Sequence, residues 1–178
     1  MKSGFALLAL GWLAVVVQGG LAHLLPAHWI PDLALMFNLA AALVLGPITG
    51  LAVAVGLGLG ADMVSGTLLG QLGCLRLVEL GFTRVVAGQL DLRRGLPLAI
   101  FAFAMVLFDA AGQAGLSRLF LGGFPFQPAE LATLGIHAAV TAPFAPFVGS
   151  VARRVCDRLD EGDARREMRL DTRRAVLR

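Results

Sequence analysis

The sequence predicts an all-α, polytopic membrane protein with about six transmembrane helices. Three observations predict it. Of the 178 residues, 57% are hydrophobic and only 15% charged; apolar runs long enough to cross a bilayer recur along the chain; and Gly and Pro punctuate the intervals between them. Soluble domains average about 25% charged residues, so water is not the main solvent of this chain. A crossing helix needs about 20 mostly apolar residues, at about 1.5 Å rise each.

Phe5–Leu25 is the first such run. Lys2 before it and Ala22 near its end imitate a secretory signal, but the run exceeds a usual signal core and five more segments follow, so a retained helix is expected. Pro26 and Pro31 bracket a loop in which Trp29 is a suitable interfacial anchor. Leu33–Leu45 forms a short second helix, broken by Gly46-Pro47, and Ile48–Val64 forms the third. The fourth runs over Leu68–Gln89, and the charged turn at 91–95 leads into the fifth, Leu96–Leu119. After an irregular Gly122-Gly123-Phe124-Pro125 loop comes the sixth, Pro128–Val151, which Pro143 and Pro146 should kink. The segments flanking Gly46-Pro47 are short enough to merge into a re-entrant pair, which would reduce the count to five.

Charge divides the chain in two. Residues 1–152 hold six basic and six acidic side chains, while residues 153–178 hold nine arginines and six acids. The expected organisation is therefore an integral membrane helical domain at 1–152 and a basic cytoplasmic tail at 153–178. With six spans, Lys2, Arg93, Arg94 and the tail share one side, and the opposite loops (26–32, 65–67, 121–127) carry no Lys or Arg. The positive-inside rule then puts both termini in the cytoplasm. A sequence pI near 9.6 could point to nucleic acid, yet the tail alternates in sign and lacks aromatics. A solvated helical extension beside anionic lipid headgroups fits better, with no nucleic-acid partner. Cys74 and Cys156 fall at different expected depths, and no Cys/His cluster has metal-ligand spacing, so neither a disulfide nor a metal or other cofactor is expected.

Small residues recur four apart at Gly46/Gly50, Gly56/Gly60, Gly66/Gly70, Ala110/Ala114 and Ala138/Ala142. Lipid tails are as apolar as leucine, so membrane helices associate through close packing, and glycine faces allow it. Any single pair reflects the abundance of glycine in membrane helices; the density from Gly46 to Gly73 predicts a tightly packed centre. Within it, Asp62 can reach headgroup water or cap the start of the fourth helix, with Ser65 and Thr67 as further partners for freed backbone groups. Contact with a partner or ligand is the alternative.

Arg76 and Glu79 lie three apart on one helical face, and pairing is the least costly state for both. Asp109 on the fifth helix can pair with Arg84 or Arg76. Such charges are functional candidates by default, and a clamp between helices is an equal expectation. His137 is expected to be packed and hydrogen-bonded rather than catalytic. Ser65, Ser117 and Ser150 have no nucleophile context, GxSxG is absent, and Asp163–Glu167 (DARRE) is not followed by the aspartates a nucleotide-lipid transferase would need. No enzyme is expected.

Residues 58–70, GLGADMVSGTLLG, resemble the signature of the rod shape-determining protein MreD family: an apolar helix ending in Asp62, then Ser65-Gly66, then Gly70. Pro31-Asp32 directly before the second helix, the length and the charged tail agree, and the layout matches over roughly residues 28–150. Arg76 and Glu79 depart from the mainly apolar fourth helix of that family. The resemblance implies a non-catalytic subunit of the bacterial elongation machinery in the cytoplasmic membrane. It would bind MreC and be linked to RodA, a class B penicillin-binding transpeptidase and MreB. The family is similar in architecture to the substrate-binding subunits of energy-coupling-factor vitamin transporters, which supply the rival function. Against the rival, Phe5–Leu25 lacks an Ala-x-x-x-Ala docking face, and the outward loops offer mainly His23, His28, Trp29, Thr67 and Gln127. The mechanism expected is packing: glycine-lined helices three and four dock neighbouring proteins, with Asp62 fixing their turn, and Ser65, Gly66, Gly70, Arg76, Glu79 and Asp109 serving partner contact or packing. That expectation has no place for a roomy, polar-lined chamber among the spans.

Overall fold

The computed structural model describes residues 2–65, 69–92, 95–121 and 128–176. Its elements are α1 (Lys2–Leu21), a 3-10 turn (Ala27–Trp29), α2 (Leu33–Val44), α3 (Pro47–Ser65), α4 (Gln71–Ala87), α5 (Gly95–Leu121), α6 (Pro128–Thr141) and α7 (Phe144–Val176). Among the described residues there is no strand.

Local chemistry sets most boundaries. Pro31 cannot continue a helix backwards, and Asp32 caps α2 by accepting from the Leu35 N–H at 2.9 Å. Leu45 leaves the helix in an extended conformation, as a residue just before Gly-Pro readily does. Pro47 then opens α3 at the first helical position, where its missing N–H removes no bond. The Arg84 guanidinium reaches back to donate to the Leu45 and Gly46 carbonyls, at 3.1 and 2.9 Å, and so satisfies the end of α2. The expected sixth helix is two helices: α6 stops at Thr141 and α7 begins at Phe144, because Pro143 has no N–H to offer and its ring obstructs the preceding turn. From there α7 continues without a break into the arginine-rich segment.

At the centre of the bundle is α2. Every residue from Ala34 to Ala42 is buried, because α1, α3, α4 and α7 all pack against it. The outside of the bundle is apolar, with Phe5, Ile48, Leu96 and Leu119 among the most exposed side chains. Its interior holds Asn38, Asp62, Arg76, Glu79, Thr83, Asp109 and Thr141. Apolar outside with charges inside is the arrangement of a protein whose solvent is lipid, where a charge is tolerated only when protein surrounds it. Among the described residues, four helical stretches are long and apolar enough to cross a bilayer: Lys2–Leu21, Pro47–Ser65, Gly95–Phe120 and Ala132–Asp160. The chain is a membrane-embedded helical protein. The 12 residues of α2 and the 17 of α4 rise about 18 and 26 Å, short of the roughly 30 Å hydrocarbon layer.

Candidate functional site

Three features meet at the end of the bundle where α1 and α3 finish and α2 and α4 begin. The first is the turn between α3 and α4. Asp62 sits in the last turn of α3, 1% exposed. Its Oδ2 accepts from the Gly70 N–H at 2.8 Å and the Gly73 N–H at 3.4 Å, and its Oδ1 accepts from the Leu72 N–H at 3.0 Å. These are amides at the start of α4, which have no acceptor within that helix. Gly70 adopts a φ of +94°, in the left-handed region that an L side chain resists. Close below, α3 and α4 touch backbone to backbone: a Cβ at Gly58 would strike Gly73 Cα. One carboxylate thus ties two helices whose closest approach needs Gly58. The Ser65 hydroxyl donates to the Asp62 carbonyl at 3.5 Å; Gly66 lies outside the described residues.

Arg76 is the centre of the second feature, and it is 2% exposed. Its Nη2 binds Asp32 Oδ2 at 2.8 Å, and its Nη1 binds Glu79 Oε2 at 2.8 Å and Asp109 Oδ1 at 3.1 Å. The expected i,i+3 pair therefore forms, and Asp109 chooses Arg76 over Arg84. Asn38 Nδ2 donates to Glu79 Oε2 and to the Arg76 carbonyl, and Gln113 Nε2 donates to Asp109 Oδ2. The Thr141 hydroxyl accepts from the Asp32 N–H. One guanidinium so clamps α2, α4 and α5, with α6 held through Thr141. An arginine suits this position because its planar fork presents several donors at fixed angles.

The third feature is a chamber of about 760 Å³, open at one side and lined by residues of all six helices from α1 to α6 or the turns flanking them. Val15, Val16, Ile30, Val64 and Leu72 form its apolar wall, and Gln18, Asp32, Arg76, Gln113 and His137 its polar part.

Two expectations need correction. The small-residue stripe is not free for neighbouring proteins over most of its length. A Cβ at Gly56 would press on Leu8, one at Gly60 on Trp12 and one at Gly50 on Arg84, so these glycines seat α1 and α4 against α3. Trp12 also donates its indole N–H to the Gly56 carbonyl at 3.2 Å. Secondly, a roomy, half-open chamber does exist, its wall more apolar than polar, and His137 is part of that wall with a buried Nδ1 that has no hydrogen-bond partner. Sequence reasoning missed Asp32, Asn38 and Gln113 as members of the Arg76 cluster. The signals were present: Pro-Asp before an apolar run marks a helix cap, and Asn38 is the lone amide of an otherwise apolar helix.

Fold and site together define a membrane-embedded helical protein with a buried ion-pair clamp beside an open chamber. Comparison with protein families, with curated proteins and with solved structures gives no match to this chain.

Proposed function

We propose that the chain is a non-catalytic, multi-pass subunit of the bacterial elongation machinery, of the kind the MreD family supplies. It sits in the cytoplasmic membrane with both termini in the cytoplasm, and of its six passes α2 and α4 are short ones that span less than the full hydrocarbon layer. MreC is its direct partner, and RodA, a class B penicillin-binding transpeptidase and MreB belong to the same assembly. The observation that carries this reading is the segment 58–70. Its residues resemble the family signature, and the geometry gives three of them one job: Gly58 admits α4, Asp62 collects its first amides, and Gly70 makes the turn.

The inward packing of the glycines moves the docking surface elsewhere. The outer face of α4 carries Cys74, Val78, Gly81 and Val85 at helical spacing, all exposed, and a Cβ at Gly81 would meet nothing within 4 Å. A low, uncrowded ridge of this kind admits a neighbouring helix. Gly81→Leu should cut recovery of MreC with the tagged protein while leaving its abundance unchanged. Full recovery from that variant would overturn the assignment of this face.

A second reading is favoured by the chamber. A substrate-binding subunit of an energy-coupling-factor-type vitamin transporter needs such a cavity among its helices, and about 760 Å³ is ample for a small molecule. The two readings part on partners: the first predicts recovery of MreC, the second recovery of an ATPase module. Neighbouring genes for MreC and the transpeptidase would favour the first.

A further inference from the structure

We propose that the chamber binds a small organic cation with an apolar body, its charged head against Asp32. The proposal goes beyond the wall-synthesis reading, and it holds in whichever assembly the chain works. Its basis is the balance of charge at the chamber wall. Among the described residues lining it, Asp32 is the one acid and Arg76 the one arginine, beside His23 and His137. Arg76 is already bound by three carboxylates, those of Asp32, Glu79 and Asp109. Three acidic side chains therefore share one basic side chain, and the cluster has no cation to spare. In the layer behind the wall Glu79 Oε1 and Asn38 Oδ1 are buried without a hydrogen-bond partner, as is the Arg76 Nε–H donor.

An anion entering the chamber would meet a guanidinium whose terminal nitrogens are engaged, whose one unpartnered nitrogen, Nε, is buried, and which three carboxylates surround. A cation meets the opposite situation. Asp32 is the most exposed of the three acids, at 14%, and its position is fixed. Its Oδ1 holds the Leu35 N–H, its Oδ2 holds Arg76, and its own N–H is held by Thr141. A carboxylate anchored in this way accepts a further charge-assisted hydrogen bond without losing side-chain entropy at binding. The apolar part of the ligand would lie on Val15, Val16, Ile30, Val64 and Leu72, which also line the chamber. A volume of about 760 Å³ falls inside the ~300–1,000 Å³ usual for small-molecule sites.

The test uses the full-length chain in lipid nanodiscs and three probes with the same phenyl body: 2-phenylethylammonium, 2-phenylethanol and 3-phenylpropionate. Saturable binding is read by calorimetry and by the rise in Tm, with empty nanodiscs as the partitioning control. The ammonium should bind at least tenfold more tightly than the alcohol, and the carboxylate should not saturate. Asp32→Asn should reduce ammonium affinity by about tenfold or more, since asparagine retains the helix cap but removes the charge. Ala22→Trp, on the chamber wall and away from the ion pairs, should abolish binding. It also carries the test should Asp32→Asn fail to fold. Equal binding of alcohol and ammonium, ammonium binding indifferent to both substitutions, or no saturable ammonium binding would each overturn the proposal. Recovery of MreC measured on the same membranes separates failure of the ligand proposal from failure of the wall-synthesis reading.

Discussion

Replacing Asp62 tests the joint between α3 and α4 most directly. In Asp62→Asn the side-chain shape survives, but one oxygen becomes an NH₂. If the remaining oxygen keeps the Gly70 and Gly73 amides, the Leu72 N–H loses its acceptor and faces a donor. Hydrogen bonds to a charged group contribute about 1.5–3 kcal/mol, and a buried unsatisfied N–H costs about 1–3 kcal/mol. The loss expected for Asp62→Asn is therefore about 2–3 kcal/mol. Asp62→Ala strands all three amides and should lose about 4 kcal/mol or more on the same scale, a large share of the roughly 5–15 kcal/mol that holds a protein together. The assay is heating of the detergent-solubilised protein followed by size-exclusion of the soluble fraction, beside its abundance in membranes. Both variants should lose heat resistance, alanine more than asparagine, and the alanine protein should accumulate poorly. An Asp62→Asn protein as heat-resistant and abundant as the parent would refute the capping argument. If such cells nonetheless rounded up, Asp62 would instead be a contact for a partner.

Gly58→Leu should destabilise by about 1–3 kcal/mol or more, because the obstructing atoms are the backbone of Leu72 and Gly73 and cannot rotate away. Its melting in detergent can be compared with that of Gly81→Leu, which should match the parent within about 0.5 kcal/mol. Gly70→Ala forces a side chain into a φ of +94° and should cost about 1–2 kcal/mol, visible as a lower Tm with an unchanged helical circular-dichroism spectrum. Arg76→Met leaves three carboxylates without their cation and should cost about 3–5 kcal/mol, read as loss of protein from the membrane. Adding Asp109→Asn to it should restore part of the yield, since one unpaired charge is removed; additive loss would argue that the two residues are not coupled.

Much of the architecture was legible because it depends on local pattern. Apolar runs gave the helices, Pro31-Asp32 and Gly46-Pro47 gave the ends of α2, and Pro143 gave a break where a kink was expected. The i,i+3 spacing of Arg76 and Glu79 sufficed to pair them, and the position of Asp62 at the end of an apolar helix pointed to a cap. Less was legible wherever a residue's role depends on which helix lies opposite. The glycines between Gly50 and Gly60 read equally as an outer docking stripe or an inner seam. Only the placement of Leu8, Trp12 and Arg84 against them decides for the seam.

What the sequence alone determined is the solvent and the segmentation: hydropathy and Gly/Pro punctuation act over neighbouring residues, and they specify membrane helices whatever the packing. The tertiary structure decided the rest. Asp32, Arg76 and Asp109 are brought together from separate helices, and the chamber is a gap bounded by elements far apart in the chain. A void has no residues of its own to encode it; it exists only in how the helices fail to fill the space between them.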